Sequence, residues 1–217
     1  MTSTMQAHLA LDHLLIGAPS LEMGVAWLER RTGVRAAMGG SHPGLGTWNA
    51  LASLGPRQYI EIIAPDPGQP GVETFYVPGL RQFEGPRIAT WAAAGEGLAS
   101  RFGDPGPNGF SCGPLRSGIR VRPDGMRLAW TLAFPKLANR GNLEGTIPFF
   151  IEWHSESVHP GGSAPRGLTL IDLSIEHPDP DQVRRGFRAL GLTCSIRRAK
   201  VAAIRAEVET SLGRVVL

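Results

Sequence analysis

The sequence of 217 residues is 42% hydrophobic and 19% charged, and 22 basic residues against 19 acidic ones give a net charge of +3. This composition predicts a globular protein with a sizeable core and excludes a disordered chain. No apolar run is long enough for a transmembrane helix, and the two cysteines, Cys112 and Cys194, exclude a disulfide scaffold and a cysteine-rich zinc site.

The first predicted elements form a β-α-β-β-β unit, module one, over residues 8–66. Its first strand ends before Pro19, and Ser20 can cap the helix that follows. Gly33 ends that helix, because glycine readily adopts the left-handed conformation found after the last helical turn. The four strands are predicted at 8–16, about 34–39, 47–54 and 57–64.

The middle of the chain predicts less regular structure. Residues 67–118 are rich in glycine and proline, which indicates a long connecting loop, and the one helix expected there lies around 87–101. Residues 119–153 predict extra strands. A turn at 123–125 with the sequence Pro-Asp-Gly indicates that two of these strands form a β-hairpin.

The C-terminal residues 168–217 repeat the order of module one and predict a module two. Aligning Pro178 with Pro19 places Asp172 at the position of His13. The fold class predicted for the whole chain is therefore α+β, in a single domain. Two βαβββ-type modules form a curved mixed β-sheet, with an extra β-hairpin and a long Gly/Pro-rich connecting loop.

Two polar residues interrupt the apolar strands of module one. His13 lies in the middle of the first strand, and Glu61 lies within the segment YIEII of the fourth. A carboxylate among branched apolar residues is costly unless it is paired, bound to a metal or protonated. Each residue alone fits a structural role, in which Glu61 pairs with an arginine and His13 bonds to the backbone. Together they favour a polar site inside the curved sheet.

Five segments carry a resemblance to a known family: LDHLLIGAP, GGSHPGLGTWNALASLG, YIEIIAPDP, IPFFIEWHSESVHPGG and LTLIDLSIEHPDP. They resemble the glyoxalase-like domain family of the vicinal oxygen chelate superfamily, which also includes glyoxalase I, extradiol dioxygenases and bleomycin resistance proteins. The resemblance covers about 10–66 and 127–192. It implies a cup-shaped sheet of paired modules around a divalent ion, for which Fe, Mn, Zn or Ni are suitable.

By this resemblance, His13 and Glu61 occupy the two metal-ligand positions of module one. Module two departs from the pattern, because Asp172 replaces the usual histidine and the last strand, 213–217, contains no acidic residue. Glu152 is the third predicted metal ligand if its face of the neighbouring strand looks inward. If the other face does, three apolar residues fill the cup instead: Phe149, Ile151 and Trp153.

The loop and strand HPGLGTWN provide the other predicted site residues. Thr47 and Asn49 lie on one strand face and can bond a polar substrate, and Trp48 between them is also predicted to bind substrate. His42 is predicted to be catalytic together with Glu61, because an imidazole can act as an acid or a base near neutral pH. A plain hairpin connection is the alternative for this loop.

Two functions fit these predictions. The first is an enzyme acting on a small oxygen-bearing molecule, either a metal-assisted lyase, isomerase or dioxygenase, or a metal-free acid–base catalyst of a carbonyl compound. The alternative is a non-catalytic small-molecule binding or resistance protein with a degenerate metal site. His159 is a further candidate site residue.

The expected partner is a small molecule. The arginines are scattered except for clusters at 184–188 and 197–200, and no nucleic-acid motif accompanies them, so neither nucleic acid nor a membrane is expected. A signal peptide is not expected either, because the first apolar stretch has no basic segment before it. With so few cysteines this predicts a cytoplasmic protein, and the resemblance adds the expectation of a homodimer.

Overall fold

The computed structural model describes residues 9–77, 79–102, 111–121, 125, 127–136, 143, 145–155 and 157–217. Most of the predicted turn at 123–125 lies outside the described residues, as does the start of the chain, to which the expectation about a signal peptide refers. None of the described helices combines the length and the hydropathy needed to cross a bilayer.

Module one has the predicted β-α-β-β-β order. Its helix begins after Ser20, whose hydroxyl accepts from the Met23 N–H, and ends at Gly33, whose φ of 74° closes the last turn. Leu21, Val25 and Leu28 form its buried face. The elements are β1 (Ala10–Gly17), α1 (Leu21–Thr32), β2 (Ala37–His42), β3 (Thr47–Gly55) and β4 (Gln58–Pro65).

The stretch predicted as a connecting loop contains strands. The helix expected over 87–101 is wrong for most of its length, because residues 87–94 form a strand and α2 is a single turn. This strand is buried on both faces, so its apolar residues do not alternate with polar ones. The elements are β5 (Arg87–Ala94), α2 (Leu98–Arg101), β6 (Ser111–Cys112), β7 (Arg116–Val121), β8 (Arg127–Ala133), β9 (Pro135–Lys136) and β10 (Phe149–Trp153).

The pairing of strands β5 to β10 shows which part of the chain forms the second half of the cup. In the described part of the chain, one eight-stranded sheet has the order β2-β3-β4-β1-β5-β10-β8-β7. The first strand of module one, β1, pairs in parallel with the last, β4, and β5 pairs in the same way with β10. The antiparallel pair β1–β5 joins the two halves. Residues 87–153 are therefore the second cup module.

The C-terminal unit has the predicted order of elements but forms its own sheet. Its elements are β11 (Thr169–His177), α3 (Pro180–Leu190), β12 (Ser195–Arg198), β13 (Ala203–Thr210) and β14 (Gly213–Val216). The strand order is β12-β11-β13-β14, so that β11 pairs with the strand after the helix and not with the last strand. Residues 168–217 are thus not the second half of the cup, which corrects the prediction, and Asp172 is exposed on this separate sheet.

The eight-stranded sheet is covered on both faces. Helix α1, helix α3 and the C-terminal sheet contribute to one large core with the outer face, to which Leu14, Trp91 and Phe150 belong. The inner face carries a smaller core around Leu15 and Phe149, to which Val77 and Leu80 from the stretch after β4 also belong. Successive residues of the central strands are therefore buried on opposite sides, and the polar site lies on the inner side.

Candidate functional site

A β-bulge in β1 places two adjacent polar side chains together. The residues on either side of Asp12 pair with two consecutive residues of β5, Ala92 and Ala93. Asp12 is therefore an extra residue in β1, and an extra residue interrupts the alternation of side chains between the two faces. Asp12 and its neighbour His13 are only 1% and 3% exposed, and their side chains are in contact.

Three N–H groups donate to the Asp12 carboxylate. Oδ1 accepts from His13 Nδ1 at 2.6 Å, and Oδ2 accepts from Trp153 Nε1 at 2.9 Å and from His159 Nε2 at 3.0 Å. Burial alone would raise the pKa of Asp12, but the hydrogen bonds that its carboxylate accepts from the two histidines hold it well below its ordinary value of 3.8. Asp12 is therefore a buried anion that joins module one to the second cup module.

This carboxylate fixes the tautomers of both histidines. In His159, Nδ1 accepts from the Gly161 N–H at 3.1 Å, so Nε2 carries the proton donated to Asp12. In His13, Nδ1 carries the proton, because an ionised carboxylate only accepts. His13 Nε2 faces Glu61 Oε2 at 3.4 Å. Since an unprotonated imidazole nitrogen and a carboxylate oxygen are both acceptors, a proton or a cation between them is required to make this contact favourable.

Two aromatic rings hold the His13 imidazole in place. Tyr59 stacks on it with the ring centroids 4.5 Å apart and the planes inclined by 21°, and Phe149 meets it edge-on at 5.6 Å. Burial raises the pKa of the Tyr59 phenol, and the charge of Glu61 raises it further. Tyr59 therefore stays neutral and acts as a rigid wall behind the imidazole.

Asn49 uses its whole amide to hold other residues of the site. Its Nδ2 donates to Glu61 Oε1 at 2.6 Å and lies 3.2 Å from His42 Nε2, and its Oδ1 accepts from Arg120 Nη1 at 3.3 Å. His42 Nδ1 lies 2.9 Å from Thr47 Oγ1. His42 Nε2 thus accepts from Asn49 and His42 Nδ1 donates to Thr47. Predicted site residues of three strands are connected in one network.

His42 is a neutral imidazole in this network. Burial lowers the pKa of His42 and the charge of Arg120 lowers it further, while Glu61 and Asp66 act in the opposite direction and do not outweigh them. At neutral pH the ring is therefore uncharged, and its one lone pair is occupied by the N–H of Asn49.

Two of the predicted site residues lie elsewhere. The Glu152 carboxylate accepts from the backbone N–H groups of Gly97 and Leu98 at 2.8 and 3.1 Å, at the start of α2, so the structure does not bring it to the two other predicted ligands. Trp48 packs against the large outer core, on the face of β3 opposite to its polar neighbours. The inner side of β10 is formed instead by Phe149, Ile151 and Trp153.

The polar network lines a pocket with a volume of about 50 Å³. Module one contributes most of its polar side chains, and the second cup module contributes mostly apolar and aromatic ones together with Arg120. The described lining residues are His13, Leu15, His42, Asn49, Leu51, Tyr59, Glu61, Tyr76, Arg120, Leu128, Trp130, Leu132, Phe149, Ile151, Trp153 and Pro160.

The donors in this pocket do not fit a divalent ion held by three protein ligands. His13 Nε2 and Glu61 offer two donors, but the lone pair of His42 Nε2 is taken up by Asn49. The guanidinium of Arg120 lines the same pocket and repels a cation. Within the part of the chain that the structure describes, no cluster of three or more His, Cys, Asp or Glu residues has the geometry of a metal site.

The sequence predictions missed Asp12 and Arg120 as site residues. A signal for the first exists, because two successive polar residues, Asp12 and His13, interrupt an otherwise apolar strand. Arg120 lies in the stretch without a recognisable pattern, and nothing in the sequence distinguishes it from other arginines. His159, only a further candidate from the sequence, is brought to Asp12.

The paired modules of the curved sheet, with a histidine on the first strand and a glutamate on the fourth strand of module one, define a protein of the vicinal oxygen chelate superfamily. A profile of the glyoxalase-like domain matches residues 11–191. The chain therefore belongs to the glyoxalase-like domain family, which confirms the resemblance seen in the sequence. No curated protein sequence matches this chain significantly.

Solved structures with the same fold include a hypothetical protein from Staphylococcus aureus. It has a TM-score of 0.67 and 15% identity, over 90% of this chain and 88% of that one. Methylmalonyl-CoA epimerase from Mycobacterium tuberculosis has a TM-score of 0.42 and 16% identity, over 70% and 91% of the two chains. A Streptomyces coelicolor methylmalonyl-CoA epimerase in complex with 2-nitronate-propionyl-CoA has a TM-score of 0.42 and 13% identity, over 67% of this chain and 98% of that one. At 15% identity, the similarity to the Staphylococcus aureus protein shows a shared fold and does not indicate a shared function.

Proposed function

We propose that this protein is an enzyme that transfers a proton on a small carbonyl compound with adjacent oxygen atoms, in an isomerase or lyase type of reaction. The observation that supports this proposal is the buried chain Asp12–His13–Glu61, in which one carboxylate fixes the imidazole and the other faces its free nitrogen at 3.4 Å. An imidazole oriented by a buried carboxylate and paired with a second ionisable group is a common arrangement for acid–base catalysis.

Charge balance favours a proton between His13 and Glu61. The two carboxylates of the network, Asp12 and Glu61, carry two negative charges, and Arg120 carries one positive charge. One proton on His13 neutralises the remainder, whereas a divalent ion would leave an excess positive charge in a buried site. Uncompensated buried charge is costly, so the protonated pair is the favoured state.

In the proposed reaction Glu61 acts as the base and His13 as the acid. Glu61 removes a proton from the carbon next to the carbonyl, and the electron pair of the broken C–H bond forms a C=C bond. The π electrons of the carbonyl move to its oxygen, which takes the proton from His13 Nε2. Glu61 then returns its proton to the same carbon or, where a neighbouring carbon bears a hydroxyl, the enediol takes that proton at the neighbouring carbon, while an enol oxygen gives its proton back to His13, and this completes an isomerisation. In an elimination the enol oxygen gives its proton back to His13 as the carbonyl re-forms, and a leaving group on the next carbon departs with its bonding electron pair and takes the proton from Glu61.

The remaining predicted residues support Glu61 in this proposal. Asn49 orients the carboxylate through its N–H at 2.6 Å, and Thr47 holds His42, which in turn accepts from Asn49. His42 is therefore a positioning residue, and Thr47 and Asn49 act on the substrate through Glu61. Trp48 and Glu152 have no part in the proposed site.

No step of this proposal passes through a metal ion. We expect the purified protein to contain far less than one divalent ion per chain by inductively coupled plasma mass spectrometry, and we expect EDTA treatment to leave its proton-transfer activity unchanged. The His13→Ala variant serves as the control and should have the same low metal content. An ion present at one per chain in the native protein and lost in His13→Ala would contradict the proposal.

Non-catalytic binding of a small molecule is the second candidate function. It is favoured by the apolar inner side of β10, where Phe149 and Ile151 line a cup to which no described residue of the second cup module contributes a metal ligand. Such a lining binds an apolar ligand without any chemistry.

Deuterium exchange separates the two functions. A panel of small enolisable carbonyl compounds, including hydroxyacetone and 2-oxobutanoate, is incubated with the protein in D₂O, and loss of the C–H signal is followed by proton NMR. Acceleration over buffer for any member supports the enzyme. Saturable binding of a compound in the cup without accelerated exchange of any member contradicts it and supports the binding protein.

A further inference from the structure

A second, larger cavity adjoins the pocket of the His13–Glu61 pair. Its volume is about 290 Å³, and the two cavities share five lining residues. These are His42, Tyr76, Arg120, Trp130 and Leu132. Because Arg120 belongs to both, a group bound to Arg120 in the larger cavity lies beside the polar network. This volume approaches the range of small-molecule sites in enzymes.

The larger cavity has a cationic wall. Arg116 and Arg120 both line it, and none of its described lining residues is acidic. Arg116 is exposed, and its guanidinium lies over the Phe75 ring at 4.2 Å from the centroid. Neither arginine forms an ion pair with a carboxylate in the described part of the chain. The charge of Arg120 is balanced by the carboxylates of the polar network, whereas that of Arg116 is not, and a cavity wall with this additional positive charge and no acidic residue favours an anion.

Arg120 has an unused donor. Its Nε is buried and has no hydrogen-bond partner among the described residues, while Nη1 makes a bond of 3.3 Å to Asn49 Oδ1. A buried N–H without a partner is rare in proteins and costs stability, so an acceptor from a ligand would complete it. A guanidinium edge matches the two oxygens of a carboxylate.

The path from Arg120 to the proposed base is short. Asn49 accepts from Arg120 with its amide oxygen and donates to Glu61 with the nitrogen of the same amide. Only the side-chain amide of Asn49 therefore links the guanidinium that would bind an acid group to the Glu61 carboxylate. The reacting carbonyl must then lie close to the acid group in the substrate itself.

We propose that the substrate is a small oxo acid, whose carboxylate binds Arg120 and Arg116 while its carbonyl reaches the His13–Glu61 pair. This inference rests on the proposed function and adds the substrate class. The cavity walls Phe75, Tyr76 and Trp130 suit an apolar or aromatic body on the acid.

The test uses two probes that differ only in the acid group. Phenylpyruvate and phenylacetone share the benzyl ketone, and a methyl group replaces the carboxylate in the second. Isothermal titration calorimetry should give at least about tenfold tighter binding of phenylpyruvate to the native protein. In Arg120→Met this preference should fall to near parity, and Arg120→Lys should restore part of it. Arg116→Met should reduce it several-fold.

A control variant and the exchange measurement separate this inference from the proposed function. Arg35→Met removes an exposed arginine paired with Glu29 and should keep the preference. Thermal melting checks that each variant is folded. Equal binding of both probes, binding of neither at millimolar concentration, or a preference that persists in Arg120→Met would overturn the inference. Absence of deuterium exchange with the preference intact would overturn only the proposed function.

Discussion

Replacing Asp12 with asparagine is expected to lower the free energy of unfolding by about 3–5 kcal/mol, the range found when one member of a buried charged network is removed. The carboxylate is 1% exposed and accepts from His13, Trp153 and His159. An asparagine of the same shape brings an N–H group against one of these donors and removes the negative charge. Urea denaturation followed by circular dichroism measures the effect.

Asp181→Asn is the matched control for this prediction. Asp181 forms an exposed ion pair with Arg184 at 2.8 Å, its side chain is 65% exposed, and its loss should change stability by less than about 1 kcal/mol. Equal effects of the two substitutions would show that the Asp12 network does not stabilise the fold.

The same network makes stability depend on pH. The pKa of Asp12 in the folded protein lies below the ordinary value of 3.8, so its contribution is present in full above that value and is lost as the pH falls below it. In Asp12→Asn this part of the acid destabilisation should be missing. Urea midpoints of both proteins, measured near neutral pH and at successive values below 3.8, should therefore converge on acidification.

Replacing Glu61 with glutamine is expected to reduce the rate of deuterium exchange by about 10²–10⁴-fold, the typical contribution of a general base. The amide keeps the shape and can still bond to Asn49, but it accepts no proton from carbon. Glu207→Gln, a strand carboxylate on the separate C-terminal sheet, should exchange at the native rate. A Glu61→Gln variant with native exchange would remove Glu61 from the proposed mechanism.

Module one could be read from the sequence because its signals are local. Ser20 and Gly33 bound a helix by capping chemistry that involves neighbouring residues only, and His13 and Glu61 stand out because their strands are otherwise apolar. The expectation that these two side chains meet depends only on the parallel pairing of the first and last strand, which the structure has.

The second cup module could not be read in the same way. Its first strand, Arg87–Ala94, is covered on both faces, so Trp91 and Ala93 pack outward while Ala92 packs inward and no alternation remains. Its helix is reduced to one turn, and glycine and proline surround it. A local pattern of this kind is indistinguishable from a loop.

The C-terminal unit shows the limit of reasoning from element order. Its β-α-β-β-β sequence matches that of module one, but strand pairing is decided by long-range contacts, and β11 pairs with β12. Which face of β10 points into the cup is likewise decided by its neighbouring strands. The sequence alone therefore could not decide whether Glu152 points into the cup as a metal ligand. A cytoplasmic location and a homodimer stay predictions.

The protonation of the His13 ring, measured by nitrogen-15 NMR of the histidine side chains near neutral pH, tests directly whether His13 and Glu61 form one site. We expect both ring nitrogens to carry a proton in the native protein, with Nδ1–H bonded to Asp12 and Nε2–H directed at Glu61. In Glu61→Gln only Nδ1 should stay protonated, because the glutamine amide can donate to Nε2. A His13 ring protonated on Nε2 alone, or a ring spectrum that Glu61→Gln leaves unchanged, would contradict the shared site.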